Sequence, residues 1–127
     1  MMKKSLILLI LCFFNTSIYS QLSEKEINKT WCTKQMGVSE FRTKYGTYVD
    51  CLTDEYAVES EFDFNWKESI GQSLHYAQAT ERKAAILFIK TNRSKKDYAN
   101  ELNEVIKFFD LPIKVFVIDE RLSNPAN

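Results

Sequence analysis

Histidine is nearly absent from this chain of 127 residues, in which His75 is the only one. A single imidazole excludes metal sites built on a histidine pair and argues against a Ser-His-Asp triad, so we expect His75 to be an ordinary surface residue. None of the three cysteines stands in a Cys-x-x-Cys spacing, which argues against a thiol redox enzyme. Basic residues are not in excess, since 17 lysines and arginines face 17 acids. That balance argues against a general nucleic-acid-binding protein but allows an enzyme with a small basic rim.

The sequence also lacks an apolar run of the roughly 20 residues that span a bilayer. It begins instead with a basic start, Met1–Lys4, a short apolar run, Ser5–Phe14, and a small and polar stretch, Asn15–Ser20. That order predicts a secretory signal peptide over residues 1–20, cleaved after Ser20. A retained anchor is the alternative, and a lipoprotein attached through Cys12 is disfavoured because a bulky leucine precedes it. We therefore expect a periplasmic or secreted protein with no membrane association after cleavage.

Removal of the signal peptide leaves one domain, which we expect over residues 21–119, with residues 120–127 as a flexible tail. It also leaves Cys32 and Cys51 as the remaining cysteines in an oxidising compartment, where pairing is the default. We predict a Cys32–Cys51 disulfide, with two separate buried thiols as the alternative.

Hydrophobic periodicity predicts the order helix, three strands, helix, strand, helix, strand. The first helix begins at a capping box of Ser23 and Glu26 and ends at Gly37. Asn65, with Glu68 three residues later, is expected to cap the second helix in the same way. The strands are predicted at 40–44, 47–52, 56–64, 84–89 and 113–118. The order αβββαβαβ predicts an α/β fold, at the border of α+β, with a small mixed sheet whose last strands are parallel.

Acidic side chains stand on two neighbouring predicted strands. Asp50 lies on the second strand, and Glu59 and Glu61 share one face of the third because side chains alternate along a strand. Neighbouring strands lie less than about 5 Å apart, so these carboxylates can converge on one point. Converging carboxylates repel one another unless a hard divalent cation neutralises them, and a bound Mg²⁺ would orient a phosphate and activate water. We therefore predict a metal site of Asp50, Glu59 and Glu61.

The element order and these acids resemble the restriction-endonuclease-like, or PD-(D/E)xK, nuclease superfamily. Asp50 matches the first acid of its motif and Glu59 matches the second. Gln72 and Tyr76 are similar to the Gln-x-x-x-Tyr motif of its recombination-type exonucleases, and Glu40 matches an additional acid of some members. The resemblance implies metal-dependent hydrolysis of nucleic acid, with Asp50 and Glu59 as metal ligands and with Gln72 and Tyr76 positioning the phosphate or an acid.

The resemblance covers roughly residues 31–90. Two short segments, Asp50–Thr53 (Asp-Cys-Leu-Thr) and Ile70–Leu74 (Ile-Gly-Gln-Ser-Leu), are also similar to those of a group of small bacterial exported proteins. The aromatic residues of this stretch, Phe62 and Trp66, are expected in the core rather than as platforms for base stacking.

One position departs from the family motif. Two residues after Glu59, where the motif places a lysine that activates water or stabilises negative charge, this chain has Glu61. Lys67, early in the second helix, and Lys90, at the end of the following strand, are candidates to replace that lysine. Lys67 is disfavoured, because it lies about 140° around the helix from Gln72. The implied enzyme is therefore a Mg²⁺-dependent nuclease that lacks the usual lysine.

Two interpretations without catalysis stand beside the nuclease. A catalytically degenerate domain of the same fold would bind a protein or a ligand. An inhibitor-type protein would present an acidic surface that mimics phosphate charge, formed by Glu59, Glu61, Asp63 and Glu68. The expected partners are accordingly nucleic acid or another protein, and acids on a strand are also commonly just a solvated face.

Overall fold

The computed structural model describes residues 21–122. The predicted signal peptide, residues 1–20, and the end of the predicted tail, residues 123–127, lie outside the described residues. The helices and strands are α1 (Glu24–Lys34), β1 (Val38–Arg42), β2 (Tyr48–Leu52), β3 (Tyr56–Phe62), α2 (Trp66–Thr80), β4 (Lys83–Lys90), α3 (Tyr98–Phe108) and β5 (Ile113–Asp119). Their order matches the predicted order αβββαβαβ.

The strands form one five-stranded sheet in the order β1-β2-β3-β4-β5. β1, β2 and β3 are antiparallel neighbours, whereas β3, β4 and β5 run parallel. This mixed sheet with three helices confirms the predicted α/β class, which also fits α+β. Since β3 is the last antiparallel and the first parallel strand, it divides the sheet into a hairpin half and a parallel half.

Apolar side chains pack on both faces of the sheet. The cluster on the α1 face contains Ile27, Cys32, Cys51, Val58, Ala85, Leu87 and Ile89. The cluster on the face covered by α2 and α3 contains Trp66, Ala84, Ile86, Phe88, Leu102 and Ile113. β4 contributes to both clusters because its side chains alternate between the faces, which explains its uninterrupted apolar sequence.

The two predicted helix caps have opposite outcomes. At α1, Ser23 Oγ accepts from the Glu26 N–H (3.2 Å) and the Ser23 N–H donates to Glu26 Oε2 (2.8 Å), which confirms the capping box. At α2 the predicted cap is wrong. Asn65 ends a 3₁₀ turn with φ −109° and ψ 18°, outside the extended conformation that a capping residue adopts, and makes no capping hydrogen bond. Its side chain hydrogen-bonds Glu61 instead, and β3 accordingly ends at Phe62, two residues before the predicted end.

Cys32 and Cys51 form the predicted disulfide, which joins α1 to β2 with Cα atoms 5.6 Å apart. Gly37 lies directly against this bond, because a Cβ at this position would come within 2.6 Å of Cys51 Sγ and 2.8 Å of Cys32 Sγ. The residue with positive φ after α1 is Met36 (φ 55°), not the glycine predicted as the helix stop. Gly37 is therefore required by the close approach of the two sulfur atoms.

The last described residues pack on the domain. Glu120–Leu122 form a 3₁₀ turn where the sequence predicts a flexible tail. Glu120 is buried and accepts a hydrogen bond from Gln21 Nε2 (3.0 Å), so the two ends of the described chain meet. None of the helices within residues 21–122 has the length and apolar character needed to cross a bilayer.

Candidate functional site

The candidate site lies where β2 and β3 stop pairing. The two strands are in register at Cys51↔Val58 and Leu52↔Ala57. Beyond these pairs, the Ser60 N–H donates to the side chain of Asp50, at Oδ2 (2.8 Å), rather than to a backbone carbonyl of β2. A carboxylate thus replaces a ladder acceptor, and the strands separate enough to hold side chains between them.

Asn28 of α1 bridges this opening from the side. Its Nδ2 donates to the Asp50 carbonyl oxygen (2.8 Å), and its Oδ1 accepts from the Ser60 hydroxyl (2.6 Å). Asn28 and Ser60 are buried. The amide side chain therefore connects β2 to β3 at the level where their own backbone bonds end, and it fixes the backbone that carries Asp50.

Four carboxyl groups gather in the opening as two hydrogen-bonded pairs. Glu59 donates to Asp50, and Glu24, in the first turn of α1, donates to Glu61. Glu59 is 4% exposed and Glu61 is 8% exposed. We call Glu24, Asp50, Glu59 and Glu61 the carboxyl cluster.

Burial is the main cause of the unusual acidity of the carboxyl cluster. It raises the pKa of Glu59 to about 10, with the neighbouring charge of Asp50 as the next contribution. It raises the pKa of Glu24 to about 8, assisted by the hydrogen bond to Glu61. The pKa values of Asp50 and Glu61 are also raised by burial, against the opposing effect of the hydrogen bonds that each accepts. At neutral pH the two donors, Glu24 and Glu59, therefore keep their protons.

One oxygen of the carboxyl cluster stands out. Within the described part of the chain, Glu59 Oε2 is buried and accepts no hydrogen bond from an N–H or hydroxyl donor. A buried carboxylate oxygen that accepts no hydrogen bond is costly, so this position requires either a proton or a cation.

Tyr76 of α2 closes the cluster on the helix side. Burial raises its pKa, and the charges of Glu59, Asp50 and Glu40 raise it further. Its hydroxyl is therefore a hydrogen-bond donor at any physiological pH. Glu40 of β1 lies near enough to raise the pKa of Asp50 and adopts a left-handed conformation (φ 55°), which is costly for a residue with a side chain.

The structure brings together Asp50, Glu59, Glu61 and Tyr76, all of which the sequence singles out. The remaining candidates lie elsewhere. Gln72 is exposed on α2, and the ammonium group of Lys67 lies over the Trp66 ring, 5.8 Å from its centroid. Lys90 is exposed at the end of β4. Within residues 21–122 no ion pair or hydrogen bond joins Lys67 or Lys90 to the carboxyl cluster.

Three residues of the site were not predicted: Glu24, Asn28 and Asn65. By position, Glu24 is an ordinary acid of a helix first turn, and Asn65 is a typical cap. The available signal was the spacing of Glu24 and Asn28, which lie four residues apart and so share the helix face that includes Ile27. Because Ile27 is buried, Glu24 and Asn28 on the same helix face also point toward the domain, which indicates a polar site under α1.

His75 is not an ordinary surface residue. Its Nε2 lies 2.9 Å from Thr47 Oγ1, and its ring packs against Tyr45 with centroids 5.6 Å apart. The imidazole thus ties α2 to the turn between β1 and β2. It is a structural contact beside the opening, outside the carboxyl cluster.

The carboxyl cluster is not arranged as a ready coordination shell. Among residues 21–122 no three acidic, histidine or cysteine side chains are gathered in an arrangement that could hold a metal ion. The carboxyl groups are instead turned toward one another in proton-sharing pairs.

Similarity to known proteins is limited. No family model and no solved structure matches the chain. The chain is similar to a putative KilA-N domain-containing protein of Acanthamoeba polyphaga mimivirus, with 32% identity over 98 residues. The match covers 77% of this chain and 39% of the viral protein. The chain therefore spans about two fifths of the length of this relative.

Proposed function

We propose that the protein is an exported nuclease-like domain that uses Asp50, Glu59 and Glu61 to bind Mg²⁺ and hydrolyses phosphodiester bonds of nucleic acid. The observation that carries the proposal is the buried Oε2 of Glu59, which accepts no hydrogen bond within the described residues. Mg²⁺ prefers oxygen ligands, and every side chain of the carboxyl cluster offers oxygen alone. The cation would take the place of the protons that Glu59 and Glu24 now hold.

The residues around the cluster support this exchange. Asp50 keeps its position without a metal, because the Ser60 N–H holds its Oδ2 and Asn28 holds its backbone. A bound Mg²⁺ would supply charge neutralisation and an activated water. Tyr76 retains its proton because its pKa is raised, so it would donate a hydrogen bond to a phosphate oxygen or to Glu59. Glu40 of β1 lies close enough for its charge to raise the pKa of Tyr76, whereas Gln72 is exposed on α2.

A non-catalytic binding or inhibitor-type domain is the second candidate, and a specific observation favours it. The family lysine is replaced by Glu61, and within residues 21–122 neither Lys67 nor Lys90 contacts the carboxyl cluster. Without a lysine at that position, a bound Mg²⁺ alone would have to stabilise the developing negative charge. Such a domain would bind its partner elsewhere than through the predicted acidic surface, because Glu59, Glu61 and Asp63 are buried and only Glu68 of that set is exposed.

Thermal unfolding with and without millimolar MgCl₂ or MnCl₂ tests the site, since binding to the folded state alone raises the melting temperature. The wild-type protein should show the rise, and Asp50→Asn and Glu59→Gln should lose it. Asn still offers Ser60 an acceptor, so Asp50→Asn should be folded. Glu104→Gln, an exposed acid on α3, is the matched control and should respond like the wild type. Absence of a metal response in the wild type would refute the Mg²⁺ site.

Cleavage assays on labelled single-stranded and duplex nucleic acid separate the two candidates. The nuclease predicts metal-dependent cleavage that Asp50→Asn abolishes, with Lys67→Ala and Lys90→Ala reporting whether either replaces the motif lysine. A metal response without cleavage would support the binding domain instead. Intact mass of protein recovered from outside the cytoplasm tests export, because cleavage after Ser20 leaves a chain that begins at Gln21.

A further inference from the structure

A run of basic residues begins at Lys90, the last residue of β4. The segment 90–96, Lys-Thr-Asn-Arg-Ser-Lys-Lys, contains Lys90, Arg93, Lys95 and Lys96 and no acid. All four basic side chains are exposed. In a chain with as many acids as bases, this stretch is a local concentration of positive charge.

Arg93 is held in a fixed position within this run. Its guanidinium carbon lies 4.7 Å from the centroid of the Phe62 ring and 4.8 Å from that of the Phe64 ring. The two rings stack on each other with centroids 5.6 Å apart and planes inclined by 20°. Glu120 adds an ion pair at 3.7 Å, while 44% of the Arg93 side chain stays exposed. An arginine bound on one side by rings and a carboxylate loses little further freedom when it takes a ligand.

This arrangement adjoins the carboxyl cluster. Phe62 directly follows Glu61, and the Phe62 N–H donates to Glu61 Oε1 (3.1 Å). β3 and β4 are parallel, so the residues that follow them lie at the same edge of the sheet. Ligands of parallel sheets bind outside this carboxyl edge. The Arg93 guanidinium therefore lies at the carboxyl end of β3, where the strand that carries Glu59 and Glu61 ends.

We propose that Phe62, Phe64, Arg93, Lys95 and Lys96, here called the Arg93 patch, bind single-stranded nucleic acid. As a statement about substrate class, this inference rests on the proposed nuclease function. Arg93 and the two lysines match the charge of a phosphodiester backbone. Phe64, which is 40% exposed, and the Arg93 guanidinium, whose side chain is 44% exposed, are planar groups of the kind on which an unpaired base stacks. In a duplex those base faces are covered by stacking, so the patch favours single strands.

Fluorescence anisotropy with labelled oligonucleotides of one sequence, single-stranded and duplex, tests the patch in EDTA at low salt. The wild-type protein should bind the single strand several-fold more tightly than the duplex. Phe64→Ala and Arg93→Ala should each weaken single-strand binding about tenfold, as expected when a base is deprived of its stacking partner. Arg82→Ala is the matched control and should bind like the wild type, because this exposed arginine precedes β4 at the opposite edge of the sheet.

Lys95→Ala with Lys96→Ala gives a second variant that disturbs no described packing. In a plot of the logarithm of the binding constant against the logarithm of the salt concentration, the slope should become shallower by about 0.7 for each phosphate that the protein no longer neutralises. Equal affinity for single strand and duplex, or Phe64→Ala and Arg93→Ala behaving like Arg82→Ala, would overturn the proposal. Since EDTA removes divalent metal, binding without metal-dependent cleavage would refute the nuclease and leave the Arg93 patch in place. Metal-dependent cleavage without preference for single strands would support the nuclease and refute the Arg93 patch as a single-strand site.

Discussion

β3 meets its two neighbours in different ways. With β4 it is in register from Tyr56↔Lys83 to Phe62↔Ile89, whereas with β2 it is in register at Cys51↔Val58 and Leu52↔Ala57. The first junction carries the apolar core on both faces. The second is held by side chains, namely the Asp50 carboxylate and the Asn28 amide. Glu59 and Glu61 belong to the ladder of β3 with β4, and they meet Asp50 on the other side of β3, where its pairing with β2 ends.

The largest expected effect is at the junction of β3 and β4. Ile86 is fully buried and is the register partner of Glu59. Ile86→Ala removes packed methyl groups and leaves a cavity, so we expect a loss of about 2–5 kcal/mol in the free energy of unfolding. Urea denaturation followed by circular dichroism measures it. A loss below about 1 kcal/mol, on the scale of a surface change, would show that this junction is not the rigid half of the domain.

The disulfide ranks next, because it anchors α1 to the hairpin half. Closing a loop with a sequence separation of 19 stabilises the folded state by about 3 kcal/mol in the chain-entropy model. Cys32→Ala with Cys51→Ala should lower stability by about that amount. It should also weaken any metal response, since α1 supplies Glu24 and Asn28. If stability falls while the metal response stays at the wild-type level, α1 is not needed to shape the site.

Replacing Asn28 tests whether its side chain, rather than backbone hydrogen bonds, holds β2 and β3 together at their junction. Asn28→Ala leaves the buried Ser60 hydroxyl without its acceptor and the Asp50 carbonyl oxygen without its donor. We expect a cost of about 1–3 kcal/mol in the free energy of unfolding. Hydrogen exchange should show faster exchange at the Ser60 amide than at amides of β4. Thr33→Ala, exposed on α1, is the control, and an equal effect of both changes would contradict the bridging role of Asn28.

A further prediction concerns the dependence of stability on pH, and its sign follows from the raised pKa values of Glu59 and Glu24. An unfolded glutamate ionises with a pKa of about 4.3, whereas folded Glu59 holds its proton to about pH 10 and folded Glu24 to about pH 8. Between about pH 5 and 8 the folded state therefore binds more protons, and the stability of the metal-free protein should fall as pH rises. Each retained proton contributes up to about 1.4 kcal/mol per pH unit.

Glu59→Gln checks this dependence directly. The variant has no proton to retain at position 59, so its stability curve should be flatter over the same pH interval. Glu104→Gln should leave the slope unchanged. A wild-type stability that rises over this interval would contradict the burial of Glu59 in a protonated state.

The sequence predicts the local features of this protein well. The capping box of Ser23 and Glu26 depends on neighbouring residues, and the strands and helices follow from hydrophobic spacing. The Cys32–Cys51 pairing is predicted from the number of cysteines left by the predicted signal peptide and from the oxidising compartment that this peptide implies. The alternation of side chains along β3 is enough to place Glu59 and Glu61 on one face. Asp50 of β2 can reach the same face.

The features that the sequence does not predict are tertiary. That Glu24 meets Glu61 depends on where α1 lies across the sheet, which no local pattern specifies. Asn65 is a good capping residue by type, but a 3₁₀ turn places it beside Glu61, and the buried carboxyl group competes for its amide. The stacking of Arg93 on Phe62 and Phe64 joins residues about thirty positions apart, as only the parallel sheet can.

Because Gly37 covers the disulfide, the rate at which a reductant cleaves this bond should report how often the structure opens locally. The glycine covers both sulfur atoms, and the two cysteines have no exposed surface. A small thiol reductant cannot attack a sulfur that it cannot reach, so reduction must wait until the segment between α1 and β1 moves away. The rate of reduction in excess reductant then becomes independent of reductant concentration and equals the frequency of that movement. The reduction rate of the Cys32–Cys51 disulfide thus measures how often the segment between α1 and β1 opens.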